Sequence, residues 1–198
     1  NSSQAGYSFD WRHRSILILG TANGKGEYYY LMKYSPALLK AFLVFPLNVM
    51  GTIPALILWS TGKLEVLSFG LVPVIVGGFF VLNGLYTCWV TVSLFTDYGE
   101  GTPAPWAPPQ KLVVRGIYQH ARNPMLTGVM CVLVGEAILF TSFPVFLWFA
   151  VFCLGSLIII PLQEEPTLDR RFGESYREYS KHVPRWIPRM TPWKGTDE

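Results

Sequence analysis

Residues 66–96 run for 31 positions without an Asp, Glu, Lys or Arg. A helix needs about 20 predominantly apolar residues to cross the hydrocarbon of a bilayer. A soluble core helix rarely stays uncharged on every face for so long. Two further stretches repeat the pattern, 22 positions over 41–62 and 27 over 137–163. Charged residues are 15% of the 198-residue chain and hydrophobic ones 51%, against about 25% charged in ordinary soluble domains. That balance excludes a disordered chain and leaves too little polar surface for a soluble enzyme. A net charge of +3 is too small to point to nucleic acid.

The pattern predicts an all-α membrane protein of about four transmembrane helices, with a C-terminal cytoplasmic amphipathic helix. The first helix is expected from about Pro36 to Trp59. Pro46 and Pro54 should bend it rather than end it, since membrane helices tolerate proline better than open backbone. The second is expected from about Leu67 to Phe95, with Gly77, Gly78 and Gly84 available for close contact within the chain or with a second copy. The third, Met125 to about Phe140, and the fourth, Phe143 to Leu162, read as a tight hairpin turning at Thr141, Ser142 and Pro144. Gly99, Gly101, Pro103, Pro105, Pro108 and Pro109 make the connection before it stiff and non-helical. In the polar tail, Leu168, Phe172, Tyr176 and Tyr179 recur at helical intervals, and Pro184 ends the pattern.

The chain reads as a single membrane domain, 1–198. Residues 1–35 form an N-terminal interfacial segment, whose Tyr28, Tyr29, Tyr30 and Tyr34 suit the headgroup level. Helices one and two occupy 36–95, and the remaining core spans 96–190. No charged n-region, short apolar stretch and cleavage site opens the sequence, so no signal peptide is expected. Basic residues set the orientation: Arg12, Arg14, Lys25 and Lys33 at the front, Lys111, Arg115 and Arg122 in the middle loop, and seven in the tail, against Lys63 alone in the first turn. Positive loops stay inside, so a multi-pass protein with both termini cytoplasmic is expected.

Several chemistries are excluded by pattern. Gly20 to Lys25 is one residue short of a phosphate loop and is followed by Gly26 instead of Ser or Thr. His13, His120 and His182 are scattered, so no metal site is expected. Cys88, Cys131 and Cys153 sit in apolar stretches as small hydrophobes. Two polar clusters remain. One is the run from Arg115 to Pro124, with Tyr118, His120, Arg122 and Asn123, just before helix three. The other is Glu164 with Glu165, just after helix four. A hairpin brings these ends together, so Arg122 and Glu165 are candidate neighbours around a polar ligand. A snorkelling arginine in an interfacial salt bridge is the plainer alternative. Glu136, deep in helix three, reads either as a substrate-contacting acid or as a carboxyl that is protonated, held by Asn83, Thr87 or Ser156, or lying near the outer interface.

Gly116, Tyr118, Arg122, Asn123, Pro124 and Gly128 precede the hairpin. Glu164, Glu165, Leu168, Phe172, Gly173, Tyr176, Tyr179, Val183, Pro184 and Arg185 follow it. In these spacings the chain resembles the integral-membrane methyltransferases that include isoprenylcysteine carboxyl methyltransferases and phospholipid N-methyltransferases. The resemblance covers roughly residues 96–190 and makes that stretch a cofactor-binding methyltransferase core. It implies S-adenosyl-L-methionine as cofactor, bound on the cytosolic side, with the bilayer delivering a lipophilic or small methyl acceptor. It implies Arg122 and Glu165 as catalytic residues. Tyr118, His120, Arg122, Asn123, Pro124, Gly128, Glu164 and Glu165 would bind the cofactor. Tyr176 and Arg185 would bracket the cofactor or the substrate head, and with Glu136, read above from its place in helix three, they are the candidate substrate contacts. Asn123 stands where the prenylcysteine enzymes usually have His, and Leu126 where Tyr is common, a departure that bears on the acceptor. Isoprenylcysteine carboxyl, phospholipid amine and small thiol all stay open as acceptors. Membrane sterol reductases, which use NADPH, share part of the C-terminal pattern, and a non-enzymatic membrane scaffold is the third reading.

Overall fold

The computed structural model describes residues 40, 44–63, 70–100 and 108–195, all within one compact unit, Pro36–Glu198. The expected N-terminal interfacial segment, the start of helix one, and most of the Gly/Pro-rich connection lie outside the described residues. Among those described, every regular element is helical. A π-helical turn, Asn48–Thr52, leads into α1, Ile53–Ser60. Then follow α2, Leu71–Tyr98, a 3-10 turn, Gly116–Gln119, α3, Pro124–Leu139, and α4, Phe143–Ile159. A second π-helical turn, Ile160–Glu164, joins α4 to α5, Glu165–Phe172. The last helix, α6, is Glu174–His182.

Two helices are long and apolar enough to span a bilayer: α2, and the continuous run Phe143–Phe172. Their most apolar 18-residue windows are only 11% and 17% buried. A soluble core helix would be mostly covered. Here Leu71, Ile75, Phe79, Leu82 and Trp89 of α2, with Phe143, Leu147, Val151, Leu154 and Ile158 of α4, point outward, as a lipid-facing surface requires. Pro124–Leu139 and Asn48–Ser60 are apolar but shorter.

α2 and α3 touch backbone to backbone. Glycines seven residues apart share one helix face, and two such pairs meet antiparallel. A Cβ on Gly84 would lie 2.5 Å from the Gly128 carbonyl oxygen, and one on Gly77 2.7 Å from that of Gly135. A Cβ on Gly78, one position round the helix, would meet nothing within 4 Å. Of the three glycines expected to serve packing, Gly77 and Gly84 do so here.

Both π-helical turns end just before a proline. Ile53 N–H donates to Asn48 O ahead of Pro54, and Glu165 N–H to Ile160 O ahead of Pro166. Proline lacks an N–H, and its ring crowds the carbonyl four residues back. A widened turn relieves both problems without opening the backbone. The sequence predicts a bend at Pro54, and the structure answers with this wider turn. The hairpin turn is tight. Thr141 adopts φ 44°, Thr141 N–H bonds Ile138 O, and Ser142 N–H bonds Ala137 O, which closes α3 with a Schellman motif. Lys63 Nζ donates to Thr141 O at 3.0 Å from the end of α1.

The polar tail is helical, as its spacing predicts, but it is not one helix. Gly173, at φ 55° and ψ −129°, breaks it in a conformation that residues with a Cβ rarely adopt. The break lets α6 fold back, so that Tyr176, Tyr179 and Val183 bury themselves against Leu112, Val114, Leu168 and Phe172.

Candidate functional site

Three elements converge where α3 begins. Pro124 occupies the first turn of α3, where a missing N–H costs nothing, and Arg122 stands just before it. α4 and its π-helical turn deliver Glu165 to the same level. Beyond α6, the chain returns so that Arg122 N–H donates to Pro184 O at 2.9 Å. Arg185 follows directly.

Glu165 joins two guanidinium groups. Arg185 grips it bidentately, Nε to Oε1 at 2.6 Å and Nη2 to Oε2 at 2.8 Å. Arg122 Nη1 reaches Oε1 at 3.0 Å. Side-chain exposure is 13% for Arg122, 18% for Glu165 and 35% for Arg185, so these charges are shielded more than surface pairs are. Planar fork-to-carboxylate pairing is the strongest form of this contact, and it raises the Arg185 pKa further. Arg122 Nη1 also donates to the Tyr176 hydroxyl at 3.3 Å. Arg122 Nε–H is buried and has no acceptor. An ionised carboxylate has about four acceptor positions; the two Arg185 hydrogen bonds occupy two of those on Glu165, and Arg122 adds an ion pair. A cleft of about 390 Å³ opens beside the cluster, lined by Pro161, Glu165, Pro166, Asp169, Tyr176 and Ser180. Arg177 and Asp169 pair on its rim at 2.7 Å.

Of the sequence-derived candidates, Arg122, Glu165, Tyr176 and Arg185 come together. Asn123 supports them, donating from Nδ2 to Arg185 O at 3.3 Å. Tyr118 is buried beneath, its ring 5.2 Å from that of Phe95. Its carbonyl accepts from the Tyr179 hydroxyl at 2.7 Å. Burial, and then the neighbouring Tyr179, hold the Tyr118 hydroxyl well above its ordinary pKa, so it stays protonated. His120 points elsewhere: its Nδ1–H donates to Arg189 O at 2.8 Å, and its carbonyl accepts from Arg189 N–H. Gly128 lies in the contact with α2, against Gly84 and Cys88. Glu164 is exposed beside Glu165. Glu136 lies twelve residues along α3 from Pro124, about 18 Å at the α-helical rise. Asn83, Thr87 and Ser156 each bond a carbonyl of their own helix, and Glu136 Oε2 is buried with no partner.

Sequence reasoning missed the return of the tail: the Pro184 carbonyl, the Arg189–His120 exchange, and the Trp193 N–H bond to Gln119 O at 3.1 Å. These are mostly backbone contacts, and no side-chain pattern announces them. Tyr179 carried a signal, its three-residue spacing from Tyr176, which places both on one helix face.

The family model described as Phospholipid methyltransferase matches residues 66–175. The match holds α2, Arg122, the hairpin and Glu165, and ends just before Tyr176 and Arg185. No curated protein and no solved structure matches the chain. The match covers more than half of the sequence and carries the lipid-facing helices together with the Arg122–Glu165 pair: the chain belongs to the phospholipid methyltransferase family, a family of membrane methyltransferases.

Proposed function

We propose that the chain methylates the headgroup amine of a phospholipid, using S-adenosyl-L-methionine, at the basic, cytosol-facing end of a four-span membrane domain. The observation that carries this reading is the buried Arg122 Nε–H without an acceptor, beside a carboxylate already clamped by arginine. A ligand that brings its own carboxylate satisfies Arg122 without breaking the Glu165 clamp. The free acceptor capacity of Glu165 suits hydroxyl or amino donors. The zwitterionic, hydroxyl-bearing cofactor fits this donor set.

The bound cofactor would supply an electrophilic methyl group on a sulfonium. The chain's own residues would do the rest. Arg122 orients the ligand carboxylate, and Arg185 keeps Glu165 in register. Tyr176 and Asn123 brace the two arginines. Alignment and exclusion of water then supply most of the acceleration. An amine attacks only when unprotonated, and Glu164, next to Glu165 in the chain, would take its proton. The family description favours phospholipid amine over prenylcysteine carboxyl, and Asn123 in place of the usual His agrees.

Thermal unfolding of detergent-purified protein tests the cofactor. A ligand that binds only the folded state stabilises it by about 2.7 kcal/mol at a hundredfold excess over Kd. S-adenosyl-L-methionine should raise the midpoint and NADPH should not. Arg122→Ala, and Arg122→Lys as the variant that keeps the charge, should lose the shift. Labelled methyl should then appear on phosphatidylethanolamine and not on a farnesylcysteine analogue. Stabilisation by NADPH alone would move the protein to the reductase reading, and silence with both ligands would support a scaffold.

A further inference from the structure

Residues 184–195 form a strap rather than a loose tail. Pro184, Pro188 and Pro192 recur every fourth position and keep it out of a helix, and the backbone bends at residues 185–187 and 190–191. Its inner side is pinned along its length: Pro184 O to Arg122 N, Arg185 O to Asn123 Nδ2, Arg189 N to His120 O, and Trp193 N to Gln119 O. The Trp193 ring stacks on His182 at 5.3 Å and lies against Tyr179. The outer side is unusual for a pinned segment. Ile187 is 81% exposed and Met190 96%, more than any outward apolar residue of α2 or α4. Nothing within the described chain covers them.

The strap holds Arg185, Arg189 and Lys194 and no acidic residue. Glu165 balances Arg185. Arg189 donates to His182 O and to the Thr191 hydroxyl, neutral partners that leave its charge uncompensated, and Lys194 is exposed. The strap also lies level with the start of α3, where the polar cluster gives way to the apolar bundle. Apolar tips held at the membrane boundary among uncompensated cations fit one kind of surface. We propose that this strap is an interfacial anchor for anionic lipid, with Ile187 and Met190 entering the headgroup region and Arg189 and Lys194 meeting lipid phosphates. Because the strap carries Arg185, lipid contact stabilises the Glu165 clamp. The proposal needs only that the chain is a membrane protein, and stands whether or not the methyl acceptor is a phospholipid.

Hydrogen–deuterium exchange of the full chain in nanodiscs tests it, read on the amides from Trp186 to Gly195. One set of discs is phosphatidylcholine, and the other contains 30% phosphatidylglycerol by design. A cation near an anionic surface gains about fivefold in local binding, so exchange should slow by about that factor or more in the anionic discs. Lys194→Glu should reduce the difference, and 1 M salt, with a Debye length of about 3 Å, should remove it. Ile187→Ser with Met190→Ser should remove the difference between the two discs, while the Arg189 and Trp193 amides, hydrogen-bonded within the protein, and the α3 amides stay protected and certify the fold. Equal exchange of the wild-type strap in both compositions, fast or slow, overturns the proposal.

Discussion

At the start of α3, Glu165 accepts two charge-assisted hydrogen bonds from Arg185 and forms an ion pair with Arg122, and Arg122 is held again by the Tyr176 hydroxyl and the strap. At the far end of the same helix, Glu136 leaves one oxygen buried with no partner. Between them, α3 holds to α2 through glycines. The difference separates two uses of sequence in one bundle. The middle is built by leaving side chains out, so that backbones touch. The first end is built by converging side chains from segments far apart in sequence. The charged groups converge at the first end, and the far end carries an acid with an unpartnered buried oxygen.

The sharpest way to break this contrast is to remove the shared anion. Glu165→Ala leaves Arg122 and Arg185 facing each other, partly shielded, with no counter-charge. Breaking a fully buried pair costs about 3–5 kcal/mol; because Arg185 is still a third exposed, about 2–4 kcal/mol is expected here. Denaturant unfolding in detergent measures the loss, and methyl transfer should be abolished. Glu165→Gln keeps the shape and one acceptor oxygen, and should recover part of the stability but little of the activity. Equal stability of wild type and the alanine variant would mean that the clamp does not organise this end.

The glycine contact gives the next largest effect. Gly84→Ala places a Cβ 2.5 Å from the Gly128 carbonyl oxygen, a backbone atom that moves only with its helix. Overpacking of this kind costs about 1–3 kcal/mol. Gly78→Ala adds the same methyl into open space and gains up to about 1 kcal/mol of helix propensity. Opposite signs for these two substitutions, read as shifts in thermal midpoint, would confirm that α2 and α3 meet on one face only. The same sign for both would overturn it.

Much of this was legible in advance, for identifiable reasons. Long charge-free runs announce lipid-facing helices whatever their partners. Arg122 and Glu165 flank a hairpin, and a hairpin must bring its outer ends together, so their meeting follows from connectivity. Arg185 was legible as part of a motif but not as the clamp on Glu165. Its arrival depends on the reversal at Gly173 and on a backbone bond to Pro184. The choice of Gly77 over Gly78 turns on a rotation of about 100° per residue, which needs the position of the partner helix. The sequence placed Glu136 among the substrate contacts because an acid inside a membrane helix is costly. Counting residues along α3 removes it from the cluster, and that count needs the helix to be continuous.

Glu136 gives the smallest effect and the cleanest discrimination between the two ends. A carboxyl with an unpartnered buried oxygen bears a desolvation cost with no compensating bond at that atom. Glu136→Gln keeps the shape and leaves a neutral polar group in the same place, so stability should change by less than about 1 kcal/mol in either direction. Stabilisation by S-adenosyl-L-methionine should be unchanged, because Glu136 stands about 18 Å along the helix from the arginine cluster. Methyl transfer to a phospholipid acceptor should persist with an unaltered KM. A raised KM with normal cofactor stabilisation would mean that the acceptor lipid reaches the far end of α3, and the division between a working end and an idle one would fail there.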